Sequence, residues 1–162
     1  MILARNRILL LVETKNLIEP FSEECLEGAG YDLRAEKFYR ILSQSHIGVS
    51  GRKTPEIKQI ESTTYTLLPG EYILVETLEK VNMPLEVAAR ILPRSSIFRC
   101  GCTLITALVD PGFKGTLTMG LKNLSDKKFT LEKGARIAQI VFEQVEGETK
   151  EYAGKYQGGK VV

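Results

Sequence analysis

Aspartate is scarce in this chain, and two of its three copies sit where the backbone can turn sharply: Asp32 in "GAGYDL" and Asp110 in "DPGFKGTLTMGLKN", with Asp126 the third. An acid beside glycines is usually a turn former, yet a carboxylate fixed at the mouth of a strand pair can also hold and activate a water. Residues 110–123 have the outline of a β-hairpin, with Asp110 at its entrance and Gly120 on the returning strand. Their company is "PRSSIFRCG", residues 93–101. Pro93 closes a strand, Ser95 or Ser96 is a good N-cap, and Arg99 lies four residues after Ser95 on the same face of a helical turn. Hydroxyls, free backbone N–H groups and two arginines then converge on one point, a miniature anion site suited to a polyphosphate. The plainer alternative for the same segment is a capped surface turn with solvated arginines.

Two further stretches carry polar groups that chemistry could use. "KGARIAQIVFEQV" supplies a turn at Gly134 and then an alternating strand, in which Gln139 is either a satisfied sheet residue or a ligand contact. "YAGKYQGGK" sets Tyr152, Lys155 and Tyr156 in a glycine-rich tail. Such a tail suits a flap that orders over a base or a phosphate chain, and its bland counterpart is a disordered terminus.

The elements that must position these groups are mostly strands. From Thr63 onward, "TYTLL", "EYILVET", "VAARIL", "CTLITALV", "TLTMGLKN", "FTL" and "RIAQIVFEQV" are short runs rich in β-branched and aromatic residues, punctuated by proline and glycine. That rhythm predicts an antiparallel sandwich or jelly roll. The first twelve residues can form a short helix, residues 38–62 read as an inserted loop or irregular strand pair, and residues 152–162 as a mobile tail. One domain over 1–162 is expected, because a chain of 162 residues buries about 70% of its unfolded surface.

Composition narrows the partners. With 43% hydrophobic and 26% charged residues and a net charge of +2, the chain lacks the broad basic stripe that a nucleic-acid polymer requires. The apolar run Ile8–Val12 is far shorter than the roughly 20 residues that cross a bilayer, so no membrane partner is expected. Three cysteines without framework spacing point to a reducing cytoplasm. Cys100-Gly-Cys102 lacks the other two ligands of a structural zinc site, since the single histidine is His46.

Taken in order, "GAGYDLRA", "PRSSIFRCG", "ALVDPGFKG", "GARIAQIVF" and "GKYQGG" resemble the dUTPase and dCTP deaminase superfamily, and "YTLLPGEYILVETLEKVNMP" is similar to the strand pair before its Pro-Arg-Ser motif. The resemblance spans most of the chain. It implies an all-β, distorted jelly-roll fold (a dUTPase-like β-clip) with one or two short helices, a homotrimer with sites at subunit interfaces, and a deoxynucleoside triphosphate bound with Mg²⁺. It also implies roles for particular residues. Ser95, Ser96 and Arg99 would contact the triphosphate, with Arg94 helping at the interface or the phosphates. Asp110 would hold the sugar and the attacking water, the backbone from Thr106 through Ala107 to Val109 would read the pyrimidine edge, and Phe113 would pack beneath the sugar and crowd out a 2'-hydroxyl. Gln139 would reach the phosphates, Tyr152, Lys155 and Tyr156 would close the site, and Asp32 would order it or touch the metal's water shell.

Two departures set the expected reaction. The deaminase branch resembles "DPGWxGxxxLExxN", whose glutamate moves protons during attack at C4 of cytosine, and this chain has Gly120 there. "DPGF" and the "GKYQGG" tail, in contrast, look more like the deaminase branch than like a typical dUTPase. Loss of the proton carrier favours hydrolysis of dUTP to dUMP and pyrophosphate, with Asp110 as the catalytic acid. The alternatives are a dCTP deaminase, monofunctional or bifunctional, making dUTP or dUMP with an acid such as Glu132 or Glu143, and a nucleotide-binding regulatory trimer without turnover.

Overall fold

A computed structural model describes residues 1–162. The chain opens with Ile2 and Leu3 extended along its final strand: Ile2 bridges Glu143, and the Leu3 N–H donates to the Phe142 carbonyl at 2.9 Å. The helix expected in the first twelve residues is therefore displaced and runs as α1 over Arg5–Lys15, burying Ile8 and Leu11. Asn16 ends it in the left-handed conformation, φ 52°, which asparagine tolerates better than most residues.

Thirteen strands follow in the order β1 (Ile18–Glu19), β2 (Tyr31–Ile41), β3 (His46–Ile47), β4 (Arg52–Lys53), β5 (Ile57–Ile60), β6 (Thr64–Leu67), β7 (Tyr72–Asn82), β8 (Val87–Pro93), β9 (Cys102–Ile105), β10 (Leu108–Val109), β11 (Lys114–Asn123), β12 (Phe129–Glu132) and β13 (Arg136–Gln144). The short helix α2, Ser95–Arg99, separates β8 from β9. The main sheet is nine-stranded and antiparallel, in the order β10-β8-β13-β2-β7-β11-β9, with β1 added to β7 and β5 to β2. The all-β class with two helices agrees with the sequence reading.

β2 is the hub that lets the sheet curl. Its first residues pair with β13, Asp32 opposite Gln139, while its later ones pair with β7 and β5. Bulges within both the β13 and β7 pairings bend it between these partners. Tyr31, Leu33 and Phe38 of β2 close the core with Ile73, Val75, Met119, Leu121, Ile137, Ile140 and Phe142. Each such side chain contributes about 1.5–3 kcal/mol through burial. Residues 38–62 match the irregular strand pair expected of them: β3 and β4 form a small exposed hairpin, and β5 returns to β2. No helix is long and apolar enough to cross a membrane, and all three cysteines are free.

Candidate active site

The expected hairpin at residues 110–123 is not closed by Pro111-Gly112. β11 pairs instead with β7 on one side and β9 on the other, Gly120 opposite Ile105, and the short β10 leaves to pair with β8. Residues 106–113 thus form an excursion inside a β9–β11 hairpin, pinned where the Thr106 hydroxyl donates to the Ile91 carbonyl at 2.8 Å. The excursion carries Thr106, Ala107, Val109, Asp110 and Phe113 together into the wall of one cavity of about 360 Å³. Asp110 is the only carboxylate in that wall, which is otherwise mostly apolar.

The far wall is built by β11 and β7, and it explains Gly120. A Cβ at Gly120 would lie 2.7 Å from Cε2 and 2.8 Å from Cζ of Tyr72, with the phenol oxygen closer still. The Tyr72 ring therefore lies in the space that a side chain at position 120 would need. Burial pushes the Tyr72 hydroxyl above its ordinary pKa, so it stays protonated at neutral pH. Glu132 and Glu143 do not reach this place: Glu132 is exposed on the separate two-stranded β12–β6 sheet, and Glu143 pairs with Arg90 at 2.9 Å.

A second group of the expected residues lies apart from the cavity. Arg94, Ser95, Ser96, Arg99 and Gln139 are absent from its wall. The N-cap of α2 is Arg94, not a serine, and no side chain caps the helix. Ser95, Ser96 and Arg99 are instead exposed and free to meet a ligand. Asp32, 1% exposed, anchors this shoulder: its Oδ2 lies 3.2 Å from Arg94 Nε and 3.5 Å from Arg136 Nη1. Burial raises the Asp32 pKa, and the two guanidinium groups offset only part of the rise. Its carboxylate faces the two arginines, which fits the ordering role.

The tail packs on the segment that follows Asp110 and reaches the cavity. Tyr152 packs edge-on against Phe113 at 5.5 Å between centroids, and its N–H donates to the Pro111 carbonyl at 2.9 Å. Gln157 accepts from the Lys114 N–H at 2.9 Å and donates to the Gly112 carbonyl at 3.0 Å. Gly115, φ 141°, permits this approach, because a Cβ there would sit 2.6 Å from the Gly158 carbonyl carbon. Tyr152, Tyr156, Lys160 and Val161 all line the Asp110 cavity. Lys155 points elsewhere, donating to Thr54 Oγ1 at 3.3 Å.

A family model described as dCTP deaminase-like matches residues 2–145. The chain belongs to the dCTP deaminase-like family. Relatives of this family with different printed activities match almost equally well. A "Probable deoxyuridine 5'-triphosphate nucleotidohydrolase" of Methanothermobacter thermautotrophicus is 37% identical over 85% of this chain and 91% of its own. A "dCTP deaminase" of Thermococcus kodakarensis is 42% identical over 89% of this chain and 86% of its own. Among solved structures, the 2'-deoxycytidine 5'-triphosphate deaminase of Agrobacterium tumefaciens superposes with a TM-score of 0.70 at 19% identity, a likeness of fold. The match covers 87% of this chain and 47% of that one, so this chain spans about half the length of that protein.

Within this dCTP deaminase-like chain, no three His, Cys, Asp or Glu side chains gather into a metal cage. The carboxylate that the cavity offers is Asp110, and Mg²⁺ held by one or two carboxylates takes its other ligands from waters and phosphates. Tyr72, Thr116 and Thr118 were not singled out by the sequence reading, although all three line the cavity. Alternation along "TLTMG" could have found the threonines, which share a face with Gly120. No local signal could have found Tyr72.

Proposed function

We propose that this chain hydrolyses dUTP to dUMP and pyrophosphate, as a homotrimer in which a neighbouring subunit brings the Arg99 shoulder to the Asp110 cavity. The observation that carries the reading is a single carboxylate, Asp110, in a cavity whose opposite wall holds Gly120 under the Tyr72 ring. Water attack at phosphorus needs one positioned base, plus neutralisation of the leaving group. Addition of water at C4 of cytosine needs a second proton carrier to expel ammonia, and this wall has no second carboxylate to serve as one.

In the proposed reaction Asp110 takes a proton from water as the oxygen bonds to the α-phosphorus. The bond to the α,β-bridging oxygen breaks, and pyrophosphate leaves with the electron pair. Arg99, Ser95, Ser96 and Gln139 hold the departing phosphates, aided by the Mg²⁺ that accompanies them. Thr106, Ala107 and Val109 face the pyrimidine, Phe113 supports the sugar, and Tyr152 and Tyr156 close over the nucleotide. Separation of the two groups in one chain is what favours an interfacial site.

A panel of dUTP, dCTP, dTTP and UTP with Mg²⁺, scored separately for pyrophosphate and ammonia, tests this. Pyrophosphate should appear from dUTP, with no ammonia from dCTP. Ammonia from dCTP at a comparable rate would establish the second reading, deamination, which the name of the Thermococcus relative favours. Binding without either product would leave only a nucleotide-binding trimer.

A further inference from the structure

Tyr72 is the one side chain of the cavity whose position explains an absence elsewhere. Its ring lies in the space above Gly120, on the uncharged stretch of wall formed with Leu74, Ile105 and Met119. Asp110 precedes β11, whereas Tyr72 overhangs the second half of that strand, so the acid and the phenol stand at different points along the cavity wall. A nucleotide that turns its sugar and phosphates toward Asp110 and Lys160 puts its flat base among the apolar side chains. In a pyrimidine the ring atom opposite the glycosidic N1 is C4, so the group on C4 arrives at Tyr72.

We infer that Tyr72 is the specificity residue of this site, its hydroxyl donating to the 4-oxo group of uracil and thereby selecting a 4-oxo over a 4-amino pyrimidine. The inference rests on the dUTP reading above and names how that reading discriminates. Burial holds the phenol protonated, and no protein hydrogen bond contributes to its environment. Its proton is therefore open to a ligand. A carbonyl on C4 accepts it, whereas an amino group offers a second donor and leaves the phenol proton unpaired once water is excluded. An unpaired buried donor weakens binding by roughly tenfold to a hundredfold. Gly120 is required for the same reason, because any side chain there would displace the ring.

The test compares wild type with Tyr72→Phe, which keeps the ring over Gly120 and removes only the oxygen. Calorimetric affinities are measured for the α,β-imido analogues of dUTP and dCTP with Mg²⁺, so that neither binding nor the comparison depends on turnover. Wild type should prefer the dUTP analogue by about tenfold or more. Tyr72→Phe should lose most of that preference, through weaker dUTP-analogue binding with dCTP-analogue binding held within about twofold. A preference retained within about twofold in Tyr72→Phe would overturn the inference, as would equal affinity of wild type for the two analogues. Tyr72→Ala provides a check on folding: its far-UV spectrum should be native and its preference equally reduced. Ammonia release by wild type would instead sink the hydrolase reading, a separate readout from the affinity ratio.

Discussion

The Asp110 cavity and the Asp32 shoulder use carboxylates in opposite ways. Asp110 is half-buried and makes no ion pair in the chain, whereas Asp32 is fully buried and faces two arginines. One acid is kept free for a ligand, and the other is spent on holding Arg94 at the start of α2. The same residue type, each time next to a glycine-rich turn, thus stands unpaired in a cavity wall at one place and among arginines at the other. What separates them is the company supplied by distant strands.

The sharpest way to break this contrast is Asp110→Asn. Turnover of dUTP should fall by roughly 10² or more with an unchanged melting temperature, as expected for loss of a positioned base. Appreciable activity in that variant, measured as pyrophosphate release, would mean that Asp110 is as structural as Asp32. Next in size is Arg99→Ala on the exposed end of α2. KM for dUTP should rise about tenfold, because a charge-assisted hydrogen bond to phosphate contributes about 1.5–3 kcal/mol, while stability stays level. An unchanged KM would place the phosphates away from the shoulder.

Removing residues 152–162 probes the tail that lines the Asp110 cavity. Turnover and affinity should both worsen several-fold if closure excludes water. The contact of Tyr152 with Phe113 adds a stability cost that a wholly solvated tail would not have. At about 0.5–1.5 kcal/mol for an aromatic pair, the melting temperature should drop by a few degrees. Identical kinetics would reduce the tail to packing alone.

The smallest effect concerns pH. Because the folded protein raises the Asp32 pKa above its ordinary 3.8, the folded state binds that proton more tightly than the unfolded chain. The contribution is fully present below pH 3.8 and is lost as pH rises through the folded value. The melting temperature of wild type minus that of Asp32→Asn should therefore be larger near pH 4 than at pH 8. A difference that grows toward pH 8 would show that the arginines outweigh burial.

Strand positions from Thr63 onward were legible because period-two alternation and turn residues are local signals. The first helix was displaced because Ile2 and Leu3 find partners on β13, which no window around them contains. Asp110 and Phe113 were recognisable from their motif. The meeting of Tyr72 with Gly120 was not, since it depends on the β7–β11 register across nearly fifty residues of chain. The serine N-cap failed for a local reason: α2 is so short that Arg94 takes the cap position and leaves both hydroxyls free.

The placement of β2 at the centre of the sheet has a consequence for biosynthesis. β2 is complete at Ile41, but β13, its partner on one side, begins only at Arg136. At ribosomal speeds of about 5–20 residues per second, the emerging chain carries an open hydrophobic edge for roughly 5 to 20 seconds. Its first quarter has to wait for its last before the β2–β13 ladder can form.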